Sequence, residues 1–181
     1  RFARTGGLLE MGSNENCYGP SKSVHPALAS QSPALHRYPD PSGKALKSAI
    51  AATHGIDAAE IALGNGSHEL LMQLAQVFAG PEDEVLVSRY CFAVYPIAAT
   101  AVGARLVLAE ALPADADMPL GHDLAAMAAG IGARTKLVFF ANPNNPTGTW
   151  FSSAELEAFM AKVPAHVLVV ADEAYIEYVT A

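Results

Sequence analysis

Two short motifs carry side chains suited to binding and chemistry. The segment 142–148, NPNNPTG, follows an apolar run and holds Asn144 and Asn145 between prolines that fix φ and stiffen the loop. The motif DEAY follows another apolar run and begins with Asp172, three residues before Tyr175. A carboxylate leaving a buried strand is costly unless a cation or strong donors face it. The motifs favour a ligand site with a protonated ring nitrogen; the alternatives are a stiff turn and a capping carboxylate.

Two further motifs could hold other parts of such a ligand. In GNGSHE, two glycines allow close backbone approach, and the helix beginning at Ser67 presents free N–H groups to an anion. In RYCFAVY, Phe92 and Tyr95 could stack on a planar ring. The alternatives are an ordinary capped helix and core aromatics. A Rossmann dinucleotide site is disfavoured, because GNGSHE lacks the third glycine of that fingerprint and no acidic residue ends the second strand.

Strands alternate with helices through most of the chain. Residues 1–40 are dense in turn-forming Asn, Pro, Gly and Tyr, which predicts an irregular arm. The expected strands are 60–66, 83–88, 104–110, 135–141 and 166–175. The expected helices are 42–55, 67–80, 92–103, 121–131 and 152–163. We predict an α/β, three-layer fold, whose mostly parallel sheet has helices on both faces.

The predicted motifs gather at one edge of that sheet. Ligands of such folds bind outside the carboxyl ends of the strands, and four of the five expected strands end in one of the motifs above. Together they offer an anion cradle, an aromatic face, an amide donor, a phenol and a carboxylate. These groups match pyridoxal 5′-phosphate (PLP), a phosphorylated pyridine with a ring oxygen. A carboxylate on the pyridine nitrogen keeps it protonated and makes the ring an electron sink.

The motifs, in their order, resemble the fold-type-I, PLP-dependent aminotransferases, and specifically the histidinol-phosphate aminotransferase family. The segments that carry the resemblance are NENCYGPS, RYPDP, GNGSHELL, FAVYP, ANPNNPTGTW and VVADEAYIEY. The resemblance implies that Asn145 and Tyr175 donate to the ring oxygen and that Asp172 pairs with the pyridine nitrogen. It also implies that Phe92 stacks on the ring, where the family more often has Tyr.

The resemblance assigns the phosphate and the substrate to other residues. Ser67 and His68 would hold the phosphate, mainly through the helix N-terminus, and His68 replaces the family's usual Asp, Asn or Glu. Tyr38 would reach the phosphate of a neighbouring subunit, which implies a homodimer. Asn16 and Tyr18 would lie near the substrate on the N-terminal arm.

One departure from the family concerns the lysine that forms the Schiff base. That lysine lies in an SK motif downstream of DEAY, and an arginine for the substrate carboxylate follows it; residues 176–181 contain neither a lysine nor an arginine. We therefore expect an N-terminal arm (1–41) and the N-terminal part of a large domain (42–181), incomplete without the rest of the sheet and the small domain. Alone, this part should be inactive.

The implied function of the parent enzyme is histidinol-phosphate:2-oxoglutarate transamination in histidine biosynthesis. The alternatives are an aromatic or other amino-acid aminotransferase, a PLP-dependent decarboxylase or lyase, and a lysine-free, non-catalytic relative. A stop codon directly after Ala181 would favour the last of these.

Composition excludes several other classes. The 181 residues are 51% hydrophobic and 16% charged, which suits a folded core, and the net charge of −7 argues against nucleic-acid binding. No apolar run approaches the roughly 20 residues of a membrane span, and no signal segment opens the chain. Cys17 and Cys91 lack metal-ligand spacing. We expect a cytoplasmic, reduced protein without a metal.

Overall fold

The computed structural model describes residues 12–179, which divide into two compact units at Ile61 and Ala62. In the first unit, the helices are α1 (Val24–Gln31) and α2 (Lys44–His54), with 3-10 turns at Ser32–Ala34 and Ala58–Glu60. Gly55 follows helix α2 with a φ of +68°, the left-handed conformation in which helices commonly end at glycine. Helix α1 was not predicted; because it buries no side chain, its sequence shows no apolar stripe.

The second unit is a four-stranded parallel sheet with four helices and one 3-10 turn. Its elements are α3 (Ser67–Phe78), β1 (Glu84–Ser88), α4 (Val94–Ala101), β2 (Arg105–Ala109), α5 (Leu124–Gly130), β3 (Thr135–Ala141), α6 (Ser153–Met160), β4 (Leu168–Asp172) and a 3-10 turn at Ile176–Tyr178. The strand order is β2-β1-β3-β4, and all three pairings are parallel. The predicted α/β class is confirmed.

Alternating side chains of the central strands form two separate cores, one on each face of the sheet. In β3, Leu137 and Phe139 point to the cluster formed with α3 and α4, while Val138 and Phe140 point to the cluster formed with α5 and α6. All four side chains are completely buried. Full burial of each large apolar side chain stabilises the fold by roughly 1.5–3 kcal/mol. Helices therefore cover both faces of the sheet at β3, as predicted for the fold.

Two predictions about the strands were wrong. No described residue in 60–66 belongs to a strand, because Ala58–Glu60 form a 3-10 turn and the chain then bends at Gly64–Asn65–Gly66, where φ of Gly66 is +80°. Strand β4 is not buried on both faces: its residues are half-buried, with Ala171 exposed. Among residues 12–179, β4 pairs only with β3 and so forms an edge of the sheet.

The helices of the second unit follow the predictions more closely. Helix α6 was expected over 152–163 and begins with a capping box between Ser152 and Glu155, in which each side chain bonds the other residue's backbone N–H. Helix α3 has its expected start but a shifted apolar face: Leu71 and Ala75 are buried, whereas Val77 is 73% exposed. Within residues 12–179, no helix is long and apolar enough to cross a membrane.

Candidate active site

Asp172 is the last residue of β4, at the carboxyl edge of the sheet. Its Oδ2 atom accepts a hydrogen bond from the hydroxyl of Tyr95 at 3.0 Å, and its Oδ1 atom accepts one from the backbone N–H of Ala174 at 3.2 Å. The carboxylate therefore meets two donors, and neither carries a positive charge. The sequence predicted that this carboxylate needs a partner, but it did not identify Tyr95.

Tyr95 comes from helix α4 and is completely buried. Its ring stacks on Phe139 with centroids 5.3 Å apart and planes 11° apart, and Phe92 meets it edge-on at 5.7 Å. Burial, followed by the charge of Asp172, raises the pKa of Tyr95 far above its ordinary value. The phenol therefore stays protonated and donates to Asp172. The sequence signal for this role was a tyrosine inside an apolar helix, where its hydroxyl needs a partner.

The loop after β3 uses two of its three asparagines to hold itself in place. The amide of Asn142 donates to the carbonyl of Phe151 at 2.9 Å and accepts from the N–H of Phe151 at 3.0 Å. The amide of Asn144 donates to the carbonyl of Tyr90 at 2.8 Å and to Oγ1 of Thr147 at 2.7 Å. The backbone N–H of Asn142 also donates to the carbonyl of Asp172 at 3.0 Å, so the loop is joined to β4.

The third asparagine, Asn145, is different. Its half-buried side chain makes no hydrogen bond to any other described residue. Two buried oxygens near this edge also lack a partner among residues 12–179: Oδ1 of Asn144, and Oγ of Ser88 at the carboxyl end of β1. Since buried polar atoms are nearly always paired, this edge of the sheet retains hydrogen-bonding capacity that the fold itself does not use.

The N-terminus of helix α3 is also open. Gly66 precedes the helix and provides no side-chain cap, while Ser67 and His68 are exposed. The carboxylate of Glu69 folds back onto Asn65, accepting bonds from its backbone N–H and, at 2.9 Å, from its side-chain amide. These bonds hold the pKa of Glu69 below its usual range. The N–H groups of the first turn are left to solvent or to an anion.

Other predicted residues occupy several settings. Phe92 is half-buried beside Tyr95, and Tyr175 is half-buried with its ring 6.4 Å from that of Tyr178. In the first unit, Tyr18 and Tyr38 are exposed, and Tyr38 is 100% exposed. The side chain of Asn16, also in the first unit, accepts from the backbone N–H of Tyr18 at 3.0 Å.

The two cysteines have unlike surroundings. Cys17 is exposed, whereas Cys91 is half-buried and lies three residues before the start of helix α4. Burial raises the pKa of Cys91 to about 11, so its thiol is protonated at neutral pH. No cluster of three or more His, Cys, Asp or Glu side chains that could hold a metal ion occurs within residues 12–179.

A separate cavity of about 310 Å³ lies beside α5 and α6. His122 lines it and is buried, with Nε2 placed 3.1 Å from the carbonyl of Ala141. Burial lowers the pKa of His122 to about 4, so the ring is neutral and Nε2–H donates to that carbonyl. No described residue pairs with Nδ1 of His122. The cavity wall belongs to the core cluster of α5 and α6, on the opposite face from Tyr95.

Comparison with known proteins identifies the class. The family model described as "Aminotransferase class I and II" matches residues 7–181. The chain therefore belongs to the aminotransferase class I and II family, as its resemblance predicted.

The individual relatives of this chain include histidinol-phosphate aminotransferases. Histidinol-phosphate aminotransferase 1 of Nitrosococcus oceani is 50% identical over 173 residues, which cover 96% of this chain and 45% of that protein. Histidinol-phosphate aminotransferase 2 of Pseudomonas aeruginosa is 48% identical over 173 residues, which cover 94% of this chain and 45% of that protein. The chain thus spans a little under half the length of the curated relatives it matches.

A solved structure shares the fold. The crystal structure of histidinol-phosphate aminotransferase from Sinorhizobium meliloti, in complex with pyridoxal-5′-phosphate, superposes with a TM-score of 0.84 at 33% identity. The match covers 92% of this chain and 44% of that one.

Proposed function

We propose that this chain supplies the N-terminal part of the large domain of a PLP-dependent aminotransferase, preceded by an arm over residues 1–41. The proposed reaction transfers an amino group between histidinol phosphate and 2-oxoglutarate, as part of histidine biosynthesis. One observation carries the proposal: Asp172, at the carboxyl edge of a parallel sheet, is oriented by a neutral donor and is not neutralised by a described cation. The 50% identity to a histidinol-phosphate aminotransferase supports the choice of substrate.

The described residues fit the ring of PLP. When bound, PLP supplies an electron sink for charge that develops on the substrate carbon. A carboxylate has about four lone-pair positions, and the two bonds to Asp172 leave room for the N–H of a pyridinium. Asn145 has an amide to donate to the ring oxygen, and Tyr175 would be the second donor. Phe92 would cover one face of the ring.

The phosphate would bind at the start of α3. Ser67 and His68 lie in the first turn of a 12-residue helix that has no side-chain cap. The N–H groups there favour an anion through hydrogen bonds and the positive end of the helix dipole. Both side chains are exposed, so we assign the phosphate mainly to the backbone N–H groups of this turn, with Ser67 and His68 beside them.

A second copy of the chain would contribute a residue to the site. In this proposal Tyr38 reaches the phosphate of a neighbouring subunit, and Asn16 and Tyr18 lie near the substrate. The full exposure of Tyr38 is consistent with a residue that contacts another chain. We place the homodimer in the cytoplasm, where two unpaired cysteines remain reduced.

The test is a comparison of substrates on the intact enzyme, purified with PLP. We expect amino transfer from glutamate to imidazole-acetol phosphate to exceed transfer to aromatic keto acids. Asp172→Asn, prepared in parallel, should lose the transfer and thereby show that the activity belongs to this site. Preferred transfer to an aromatic keto acid, or release of CO₂ from an amino acid, would replace the proposed reaction with one of the alternatives.

A further inference from the structure

We infer that Tyr95 is a positioning residue, which holds the carboxylate of Asp172 in the orientation that receives the pyridine nitrogen of the cofactor. The inference rests on the proposed function, because it concerns the same site. Its basis is the 3.0 Å hydrogen bond between the hydroxyl of Tyr95 and Oδ2 of Asp172, which joins helix α4 to the last residue of β4.

The ring of Tyr95 has little freedom to move. It is completely buried, lies flat on Phe139 at 5.3 Å, and is met edge-on by Phe92 at 5.7 Å. Phe139 belongs to β3, the strand that pairs with β4. A hydroxyl on a ring held by these contacts has a fixed location. The carboxylate that it bonds is therefore oriented before any ligand arrives, which is how supporting residues make a site precise.

The backbone supports the other carboxylate oxygen. Oδ1 of Asp172 accepts from the N–H of Ala174 at 3.2 Å, so helix α4 supports one oxygen and the turn that follows β4 supports the other. With one hydrogen bond at each oxygen, the carboxylate group of Asp172 cannot rotate freely, whereas a single bond would leave that rotation possible. A site geometry held within a few tenths of an ångström requires such double support.

The chemical type of the donor matters as much as its place. A neutral phenol stabilises an ionised carboxylate through a hydrogen bond without adding a positive charge. Arg or Lys at position 95 would orient the carboxylate but also neutralise it, and a protonated ring nitrogen would then gain less from binding there. Tyr95 therefore provides orientation, while the charge of Asp172 remains available for a cationic partner.

The test removes the hydroxyl and keeps the ring. In the intact enzyme freed of PLP and titrated with PLP, we expect Tyr95→Phe to bind about tenfold more weakly, equivalent to about 1.4 kcal/mol. Tyr90→Phe is the matched control, because it deletes the hydroxyl of a ring that is 40% exposed, and PLP affinity should not change. Unchanged affinity in Tyr95→Phe would overturn the inference.

A double-mutant cycle separates positioning from packing. In an Asp172→Asn background there is no carboxylate to orient, so Tyr95→Phe should cause no further loss of PLP affinity. An equal loss in both backgrounds would show that the hydroxyl acts through packing and would overturn the inference. The thermal midpoint of the PLP-free variants shows whether folding has changed.

A conservative replacement keeps the inference testable if Tyr95→Phe does not fold. Incorporation of 3-fluorotyrosine at position 95 keeps a hydroxyl donor, so PLP affinity should be retained; a tenfold loss there would overturn the inference. PLP binding by the wild type distinguishes failure of the proposed function from failure of the inference about Tyr95. If the wild type does not bind PLP, the proposed function fails, whereas normal binding by both the wild type and Tyr95→Phe defeats the inference alone.

Discussion

Two carboxylates at opposite edges of the parallel sheet, Glu84 and Asp172, have opposite kinds of partner, although Glu110, which follows β2 at the carboxyl edge, is also paired, with Arg89. At the amino edge, Glu84 begins β1 with 5% of its surface exposed, and Oε1 lies 2.9 Å from guanidinium nitrogens of both Arg105 and Arg134. At the carboxyl edge, Asp172 meets a phenol and a backbone N–H, and neither is charged. The first carboxylate is neutralised by its own fold, and the second is left able to attract a cation.

The two arginines also set the protonation of Glu84. Burial raises the pKa of Glu84, but the hydrogen bonds and charges of Arg134 and Arg105 outweigh it and hold this pKa below its usual range. Paired charges of this kind stabilise a fold, whereas polar groups with spare capacity indicate a site. We therefore assign a structural role to Glu84 at the amino edge and a chemical role to Asp172 at the carboxyl edge, and mutations at each edge can test that assignment.

The largest effect is expected at Asp172. Asp172→Asn keeps the size of the side chain but removes the charge that would hold a protonated ring nitrogen. We expect kcat/KM for transamination by the intact enzyme to fall by about a thousandfold, at the upper end of losses seen when one preorganised electrostatic group is removed. Steady-state kinetics at saturating PLP measure this, and a loss below tenfold would contradict the assignment of this edge.

A pH-dependent loss of stability is expected from His122. Its pKa is about 4 in the folded protein, compared with about 6.5 when unfolded, so the unfolded state gains a proton first as the pH falls. The neutral ring therefore costs no stability above pH 6.5. Between pH 6.5 and 4, the free energy of unfolding falls by about 3 kcal/mol. Urea unfolding over this range should show a shallower pH dependence for His122→Gln, whose amide can still donate to Ala141. Equal slopes would contradict the shift.

The neighbouring asparagines should separate stability from binding. Asn144→Ala removes two hydrogen bonds of a buried amide, so we expect a loss of about 2 kcal/mol in unfolding free energy. Asn145→Ala removes an amide without a described protein partner, so stability should change little while PLP binds about tenfold more weakly. Urea unfolding of the PLP-free protein and PLP titration measure the two effects. If Asn145→Ala were the more destabilising variant, these roles would be reversed.

The smallest effect on catalysis is expected at the amino edge. Glu84→Gln should leave kcat/KM unchanged and lower the unfolding free energy at pH 7. Because the folded pKa of Glu84 is lowered, its stabilisation is present above the unfolded value of about 4.3 and disappears as the pH falls through the folded pKa. The wild type and the variant should therefore converge in stability once the pH is below the lowered, folded pKa of Glu84. A clear loss of activity in Glu84→Gln would weaken the division between the edges.

The parts of the fold that sequence predicted well are those with strong local signals. The apolar run of β3 and the Ser152–Glu155 capping box matched the structure, because burial and capping depend on residues close together in the chain. The strand expected over 60–66 did not form, since an apolar run this short before a glycine turn can be an extended loop. The burial of β4 depends on its neighbours in the sheet, which its own sequence does not specify.

The candidate site shows the same limit. Asp172 and Asn145 were chosen correctly as polar groups at strand ends, and their role toward PLP stays a prediction. The division of labour among Asn142, Asn144 and Asn145 depends on hydrogen bonds to Tyr90 and Phe151, which lie up to 54 residues away in the chain. Tyr95 contacts Asp172 across 77 residues, so no local pattern could pair them.

The unequal thiols make the chain convenient to label. Because the pKa of Cys91 is raised to about 11, a maleimide dye at neutral pH should react with exposed Cys17 and leave Cys91 unmodified. Cys17 lies between Asn16 and Tyr18, the residues proposed to approach the substrate. A single fluorophore could then report movement of that segment in real time, without engineering a new attachment point.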